Sequence, residues 1–145
     1  NTRNTEIGGI MGRSQLKRLD ANVKRRSENL LRFLKHIDAS KYRTDFKLEG
    51  SSNYAFNLVM KKADEGFVQR LMAAMREAGI EFRRGSAGGG NQIRQPYLKG
   101  IVPDNHYKQF PQVEHIHFYG FYIGNFPDLR DEEVDEICAI LNEVA

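Results

Sequence analysis

The densest chemistry in this chain lies in one stretch, Arg83-Arg84-Gly85-Ser86-Ala87-Gly88-Gly89-Gly90-Asn91-Gln92-Ile93-Arg94-Gln95-Pro96-Tyr97. Glycine reaches positive φ and lets backbone come close to a ligand, and successive N–H groups of such a loop can form an anion nest. Arg84 and Arg94 add positive charge, so a diphosphate is a ligand these residues would suit. A flexible connection between two strands has the same composition, and the residues alone leave both readings open. His115-Ile116-His117 is a second candidate, because in a strand the two imidazoles stand on one side, as a metal pair would. No third ligand of fitting spacing accompanies them, and no metal is expected. The single cysteine, Cys138, falls among Val134, Ile137 and Leu141 at helical spacing. It reads as a small buried hydrophobe, since no neighbouring His or Lys in the sequence would lower its pKa.

These groups must be carried by one domain, because 145 residues leave room for a single core. With 40% hydrophobic and 28% charged residues the chain is an ordinary globular one, neither disordered nor fibrous. Its net charge is +3, with many of the cations between Arg13 and Arg26. That run reads as the wet face of a helix; without interleaved aromatics or a binding motif it gives no reason to expect nucleic acid. No stretch approaches the roughly 18 apolar residues of a membrane span, and the opening Asn1-Thr2-Arg3 lacks a signal pattern, so a soluble cytoplasmic protein is expected. The chain enters a helical pattern almost at once and without an initiator Met, which points to a segment of a longer protein.

From Thr5 to about Ile37, apolar residues three or four apart predict a long, bent helix. Thr5 is its cap, and Glu6 supplies the acidic charge favoured in a first turn. Gly8, Gly9 and Gly12 each cost about 1 kcal/mol in a helix interior relative to Ala, and close packing against structure outside this chain would explain them. Residues Tyr54 to Met60 alternate as a strand. A helix follows from Asp64, its cap, to about Ala78, with Phe67, Leu71, Met72 and Met75 inward and Gly79 as its stop. Ile80 to Arg83 is a short strand, and the apolar run Ile116 to Ile123 is predicted as a buried strand. The last helix runs from about Asp131 to Val144, with Val134, Ile137, Cys138 and Leu141 on its core face. This order implies an α/β (α+β) fold in which a small antiparallel or mixed sheet is covered by helices on one side.

Asn1-Thr2-Arg3-Asn4-Thr5-Glu6, then Gly12-x-x-Gln15-Leu16-x-x-Leu19-Asp20 and Lys24-Arg25-Arg26, resemble the DegT/StrS family of fold type I, pyridoxal-phosphate-dependent sugar aminotransferases. The resemblance continues through Gly79-Ile80-Glu81-Phe82-Arg83 and Pro127-x-Leu129-x-x-Glu132-Glu133-Val134, and departs from the family at Gly8-Gly9. Gly90-Asn91-x-x-Arg94-Gln95-Pro96 and His117-x-x-Gly120-Phe121-x-x-Gly124-Asn125 are similar to its nucleotide-sugar 3-dehydratase branch.

The resemblance implies an aminotransferase small domain at 38–145, preceded at 1–37 by a long helix linking it to a large cofactor domain outside this chain. It implies pyridoxal phosphate, or pyridoxamine phosphate, as cofactor of the whole enzyme, a nucleotide-diphosphate sugar as substrate and a homodimer. Asn1 and Arg3 match the motif that reaches the cofactor phosphate of the neighbouring subunit. Arg84, Gly89, Gly90, Asn91, Arg94, Gly124 and Asn125 are the expected substrate-side residues. No lysine here falls in the family's cofactor-linking motif, so no residue is named as catalytic and the chain alone is expected to be inactive. Three functions follow: amino transfer to a nucleotide-linked keto-sugar in deoxysugar or lipopolysaccharide synthesis; removal of a sugar hydroxyl by the same cofactor; and a free-standing nucleotide- or phosphate-binding module.

Overall fold

The structure is a computed structural model that describes residues 5–85 and 90–145. Helix α1 spans Glu6–Leu16 and α2 spans Leu19–His36. Strand β1 (Ala55–Val59) leads to α3 (Glu65–Glu77) and β2 (Phe82–Arg84). Three 3-10 turns, at Gln92–Arg94, Pro96–Leu98 and His106–Gln109, then lead to α4 (Pro111–Tyr119). Strand β3 (Gly120–Gly124) and α5 (Asp131–Glu143) complete the fold.

The strands form one antiparallel sheet in the order β1-β3-β2. Phe56 lies opposite Ile123, which lies opposite Phe82; Leu58 and Arg84 both face Phe121. Alternation along each strand sends these rows to one face. That face carries the core: Leu30 and Phe33 of α2, Leu71 and Met75 of α3, and Val134, Cys138 and Leu141 of α5 are all buried. The Phe33 and Phe56 rings stack with centroids 4.6 Å apart, which adds about 0.5–1.5 kcal/mol beyond the area they bury. The core is thus enclosed by the chain's own helices and sheet.

Local signals explain the element ends. Thr5 accepts a hydrogen bond from the Gly8 N–H, and the Asp64 carboxylate accepts one from the Phe67 N–H at 2.9 Å. After α3, Gly79 takes φ +69° while the N–H groups of Gly79 and Ile80 bond back to Arg76 and Met75. This pair of bonds closes the helix, and it needs the left-handed conformation that glycine adopts without strain. At α5 the Glu133 carboxylate accepts from the Arg130 N–H at 2.8 Å, half of a capping box.

Two expectations require correction. The single helix predicted from Thr5 to Ile37 is two helices: the Arg18 N–H bonds to Gln15, three residues back, and Arg18 sits at φ −107°, outside the helical ladder. The buried strand predicted from Ile116 to Ile123 is half helix. Pro111 starts α4 with its fixed φ, and the chain leaves the helix at Gly120, where a Cβ would stand 2.5 Å from the Ile116 carbonyl oxygen. A short apolar run does not distinguish helix from strand by periodicity. His115 and His117 therefore share a helix, not one side of a strand, and their rings diverge. His115 donates from Nε2 to the Met60 carbonyl at 2.6 Å, and His117 meets Asn91. No grouping of three or more His, Cys, Asp or Glu able to hold a metal occurs among the described residues.

The glycines at 8, 9 and 12 lie on a helix that buries none of its residues. A Cβ at Gly9 or Gly12 would meet nothing within 4 Å, while Ile7 and Ile10 of the same helix are each 70% exposed.

Candidate functional site

Gly85 follows β2 directly, and Gly90 lies beside α4. Gly85, at φ +57°, and Gly90 are joined by a hydrogen bond of 2.7 Å from the Gly90 N–H to the Gly85 carbonyl. A Cβ at Gly90 would lie 2.7 Å from that carbonyl group and would overlap His117 Nδ1. Only glycine allows the two strands of this neck to approach so closely. The next residue, Asn91, is 2% exposed, and besides its carbonyl, which accepts from the Arg94 N–H, it uses three more groups. Its N–H donates to His117 Nδ1 at 3.0 Å, its Nδ2 donates to Glu114 Oε1 at 2.8 Å, and its Oδ1 accepts from the Ile93 N–H.

Arg94 completes the arrangement. Its Nε and Nη2 donate to both Glu114 oxygens, and its guanidinium lies between the rings of Tyr107 (4.0 Å) and Phe118 (4.9 Å). A forked ion pair between aromatic faces is a rigid use of arginine. The Arg94 hydrogen bond, more than that of Asn91, holds the Glu114 carboxyl below its ordinary range against the effect of burial. Arg84, on the helix-covered face of β2, donates from Nε and Nη2 to the Phe118 carbonyl at 3.0 and 2.6 Å. That carbonyl lies in the last turn of α4, where the helix dipole favours a cation. Burial, then the charge of Arg94, pushes the His117 pKa down; Glu114 opposes this and Arg84 adds to it.

Gly124 and Asn125 lie at the other end of β3. Asn125 is 1% exposed; its Nδ2 donates to the carbonyls of Arg26 and Asn53 at 2.8 and 2.7 Å, and its Oδ1 accepts from Asn29 Nδ2 at 3.1 Å. The Asn125 N–H donates to Tyr54. One side chain thus ties α2, the approach to β1 and the exit of β3. A Cβ at Gly124 would overlap the Phe126 ring at 2.6 Å.

Of the expected site residues, Arg84, Gly90, Asn91 and Arg94 are brought together around α4. Gly124 and Asn125 form a separate polar knot. Asn1, Arg3 and Gly89 lie outside the described residues. The sequence reading missed Glu114, Tyr107 and the part played by His117. Had residues 111–119 been read as a helix, Glu114 and His117 at i and i+3 would have stood on one face.

A small antiparallel sheet with α2, α3 and α5 against one face, entered from an outlying helix, is the C-terminal part of an aminotransferase fold. A protein described as a sugar aminotransferase, from Streptococcus pneumoniae and in its PMP form, matches 97% of this chain with a TM-score of 0.80 and 20% identity, over 35% of its own chain. Residues 1–142 match the DegT/DnrJ/EryC1/StrS aminotransferase family, and the chain belongs to that family. The GDP-4-keto-6-deoxy-D-mannose 3-dehydratase of Yersinia pseudotuberculosis is 26% identical over 145 residues, which are 99% of this chain and 36% of that protein. The structure of the E. coli enzyme of that name, with bound hydrated PLP, aligns at a TM-score of 0.76 and 25% identity over 97% of this chain and 36% of its own. The chain thus spans about a third of the length of these relatives. No helix among the described residues is long and apolar enough to cross a membrane.

Proposed function

We propose that the chain is the linking helical segment (1–37) and small domain (38–145) of a cytoplasmic, homodimeric PLP enzyme acting on a nucleotide-linked keto-sugar. The observation that carries this reading is the family match over residues 1–142. When bound, the cofactor would supply the electron sink for chemistry next to the sugar carbonyl. The residues gathered around α4 do not make a phosphate pocket for it. The N–H groups of Gly90 and Asn91, and the Nε and Nη2 groups of Arg84 and Arg94, are already committed to protein acceptors. The resemblance of Asn1 and Arg3 to the family's phosphate-reaching motif supports giving them the cofactor-phosphate contacts, and no chemical step is assigned to this chain.

Its part is substrate positioning. Arg84 and Arg94 would act on a diphosphate through their field more than through forked hydrogen bonds, because their forks are occupied. Gly89 would present backbone to it, Gly90 and Asn91, whose N–H groups are spent on Gly85 and His117, would shape the neck that carries Gly89, and Gly124 and Asn125 would hold the far end of β3 in place. Amino transfer is the activity that the family name supports. A second reading, 3-dehydration, draws on a specific observation: the 26% and 25% identical relatives bear that name.

The test is to express the complete reading frame with PLP, an amino-acid donor and GDP-4-keto-6-deoxymannose, and to read the sugar by mass spectrometry. A product carrying an amino group supports transfer, one lacking the 3-hydroxyl supports dehydration, and unchanged sugar nucleotide across several nucleotides refutes both. Arg3→Ala in that protein should weaken cofactor retention by about 1.5–3 kcal/mol, the worth of one hydrogen bond to a charged group; unchanged retention would remove Arg3 from the site.

A further inference from the structure

His117 touches both sides of the neck. A Cβ at Gly85 would lie 3.7 Å from its Cε1, and one at Gly90 would overlap its Nδ1. The Asn91 N–H, which can only donate, points at Nδ1 from 3.0 Å. An imidazole that accepts at Nδ1 is neutral and carries its proton on Nε2. From the geometry we propose that neutral His117 is the positioning residue of the substrate-side neck, and that protonating it frees the Asn91 N–H from the imidazole while the Asn91 side chain stays on Glu114. The proposal deepens the enzyme reading above, since it names what would hold the substrate-side residues in place.

The groups facing His117 are Glu114 from α4, Arg94 from the 3-10 turn at Gln92–Arg94 and Arg84 from β2. Two of the three are cations, and burial also disfavours the imidazolium, so the folded pKa lies below the ordinary 6.5. The sign follows from this. A depressed pKa means that the unfolded chain binds the proton more readily, so His117 contributes its full stability above 6.5 and loses it as pH falls through the folded value. In the protonated ring Nδ1 bears a hydrogen, which would oppose the Asn91 N–H.

The neck differs in this from an ordinary buried contact. Asn91 Nδ2 and Arg94 remain on Glu114 when His117 is protonated, so the release is local and α2, α3 and α5 keep their packing.

The experiment uses the 145-residue chain, labelled with 15N, whose core is closed by its own elements. Long-range 1H–15N correlation through the imidazole reports the tautomer and midpoint of His117, and amide exchange reports Asn91. The expected result is an Nε2–H tautomer, a midpoint below 6.5, and Asn91 exchange that accelerates about tenfold, after correction for intrinsic rate, as His117 is protonated. His117→Asn can place an amide oxygen near Nδ1 and should keep Asn91 protected without the pH step. His117→Phe should leave it unprotected at every pH while amides of α3 and α5 stay slow. Should the Phe variant lose protection throughout, the Asn variant still decides the matter by the presence or absence of the pH step. An Nδ1–H tautomer, a midpoint at or above 6.5, or an unchanged pH step in His117→Asn would overturn the proposal. None of these readouts uses cofactor or sugar, so their failure leaves the enzyme reading intact, and failure of the turnover assay leaves this one intact.

Discussion

Asn91 and Asn125 are two buried asparagines at opposite ends of the same sheet, and each spends its side chain on protein partners. Their partners differ in kind. Asn125 is held by two backbone carbonyls, the Tyr54 carbonyl and another asparagine, none of which titrates. Asn91 is held by a carboxylate and an imidazole on α4. The knot at Asn125 ties core elements to one another, whereas the neck at Asn91 ties a glycine-rich segment to the core. A buried network built only from amides is a fixed joint. One that includes His and Glu is a joint whose strength depends on pH.

The largest effect that could break this contrast belongs to Asn125→Ala. It would take one hydrogen bond each from the Arg26 and Asn53 carbonyls and from Asn29, whose Nδ2 keeps the Phe126 carbonyl, at about 1–3 kcal/mol for each group that stays buried and unpaired. Urea denaturation measures it, and a loss under about 1 kcal/mol would mean that the knot is dispensable. Gly90→Ala should come next, at about 1–3 kcal/mol for forcing a methyl into a closed space. Its signature is faster amide exchange at Asn91 with little change in α5; exchange spread evenly over the core would erase the distinction between the two regions.

Glu114→Gln should act less and only in one pH range. The carboxyl titrates below its usual 4.5 because Arg94 and then Asn91 hydrogen-bond to it. Its contribution is therefore present above 4.5 and is lost as pH falls through the lower folded value. The wild type should melt slightly higher than the variant at pH 7, with the gap narrowing as pH falls below 4.5, and a constant gap between the two would contradict this.

The smallest effect expected is a null one. The Cys138 thiol is 1% exposed, and burial, helped by Asp135, pushes its pKa up to about 12, so alkylation at pH 8 should require the packing of α5 against α2 to open. Asn125→Ala should speed that labelling and Gly90→Ala should hardly alter it. Equal acceleration in both would show that neck and knot belong to one cooperative unit.

Much of the frame was legible beforehand because its signals are local. The hydroxyl of Thr5, the carboxylate of Asp64 and the positive φ of Gly79 act within three or four residues, and the spacing of Val134, Cys138 and Leu141 is read from one helix alone. The antiparallel sheet was expected on pattern, but its strand order was not, since pairing depends on contacts distant in sequence. Residues 111–119 were misread for a physical reason. A short helix whose apolar residues Ile116 and Phe118 stay partly exposed has no clean amphipathic face, and its termini are set by Pro111 and Gly120, not by caps. That misreading hid the neck, because Glu114, His117 and Phe118 converge only when they share a helix. The resemblance led to Asn91 and Arg94 without showing that both are engaged by Glu114.

The middle position of β3 sets an order of assembly. β1 and β2 each border β3 and not one another, so a ribosome that has released every residue up to Tyr119 has made two strands that lack their common partner. Each would carry open backbone donors and acceptors, the usual template for unwanted pairing between chains. A product that stops short of Gly124 should therefore be recovered as aggregate, even though it contains four of the five helices.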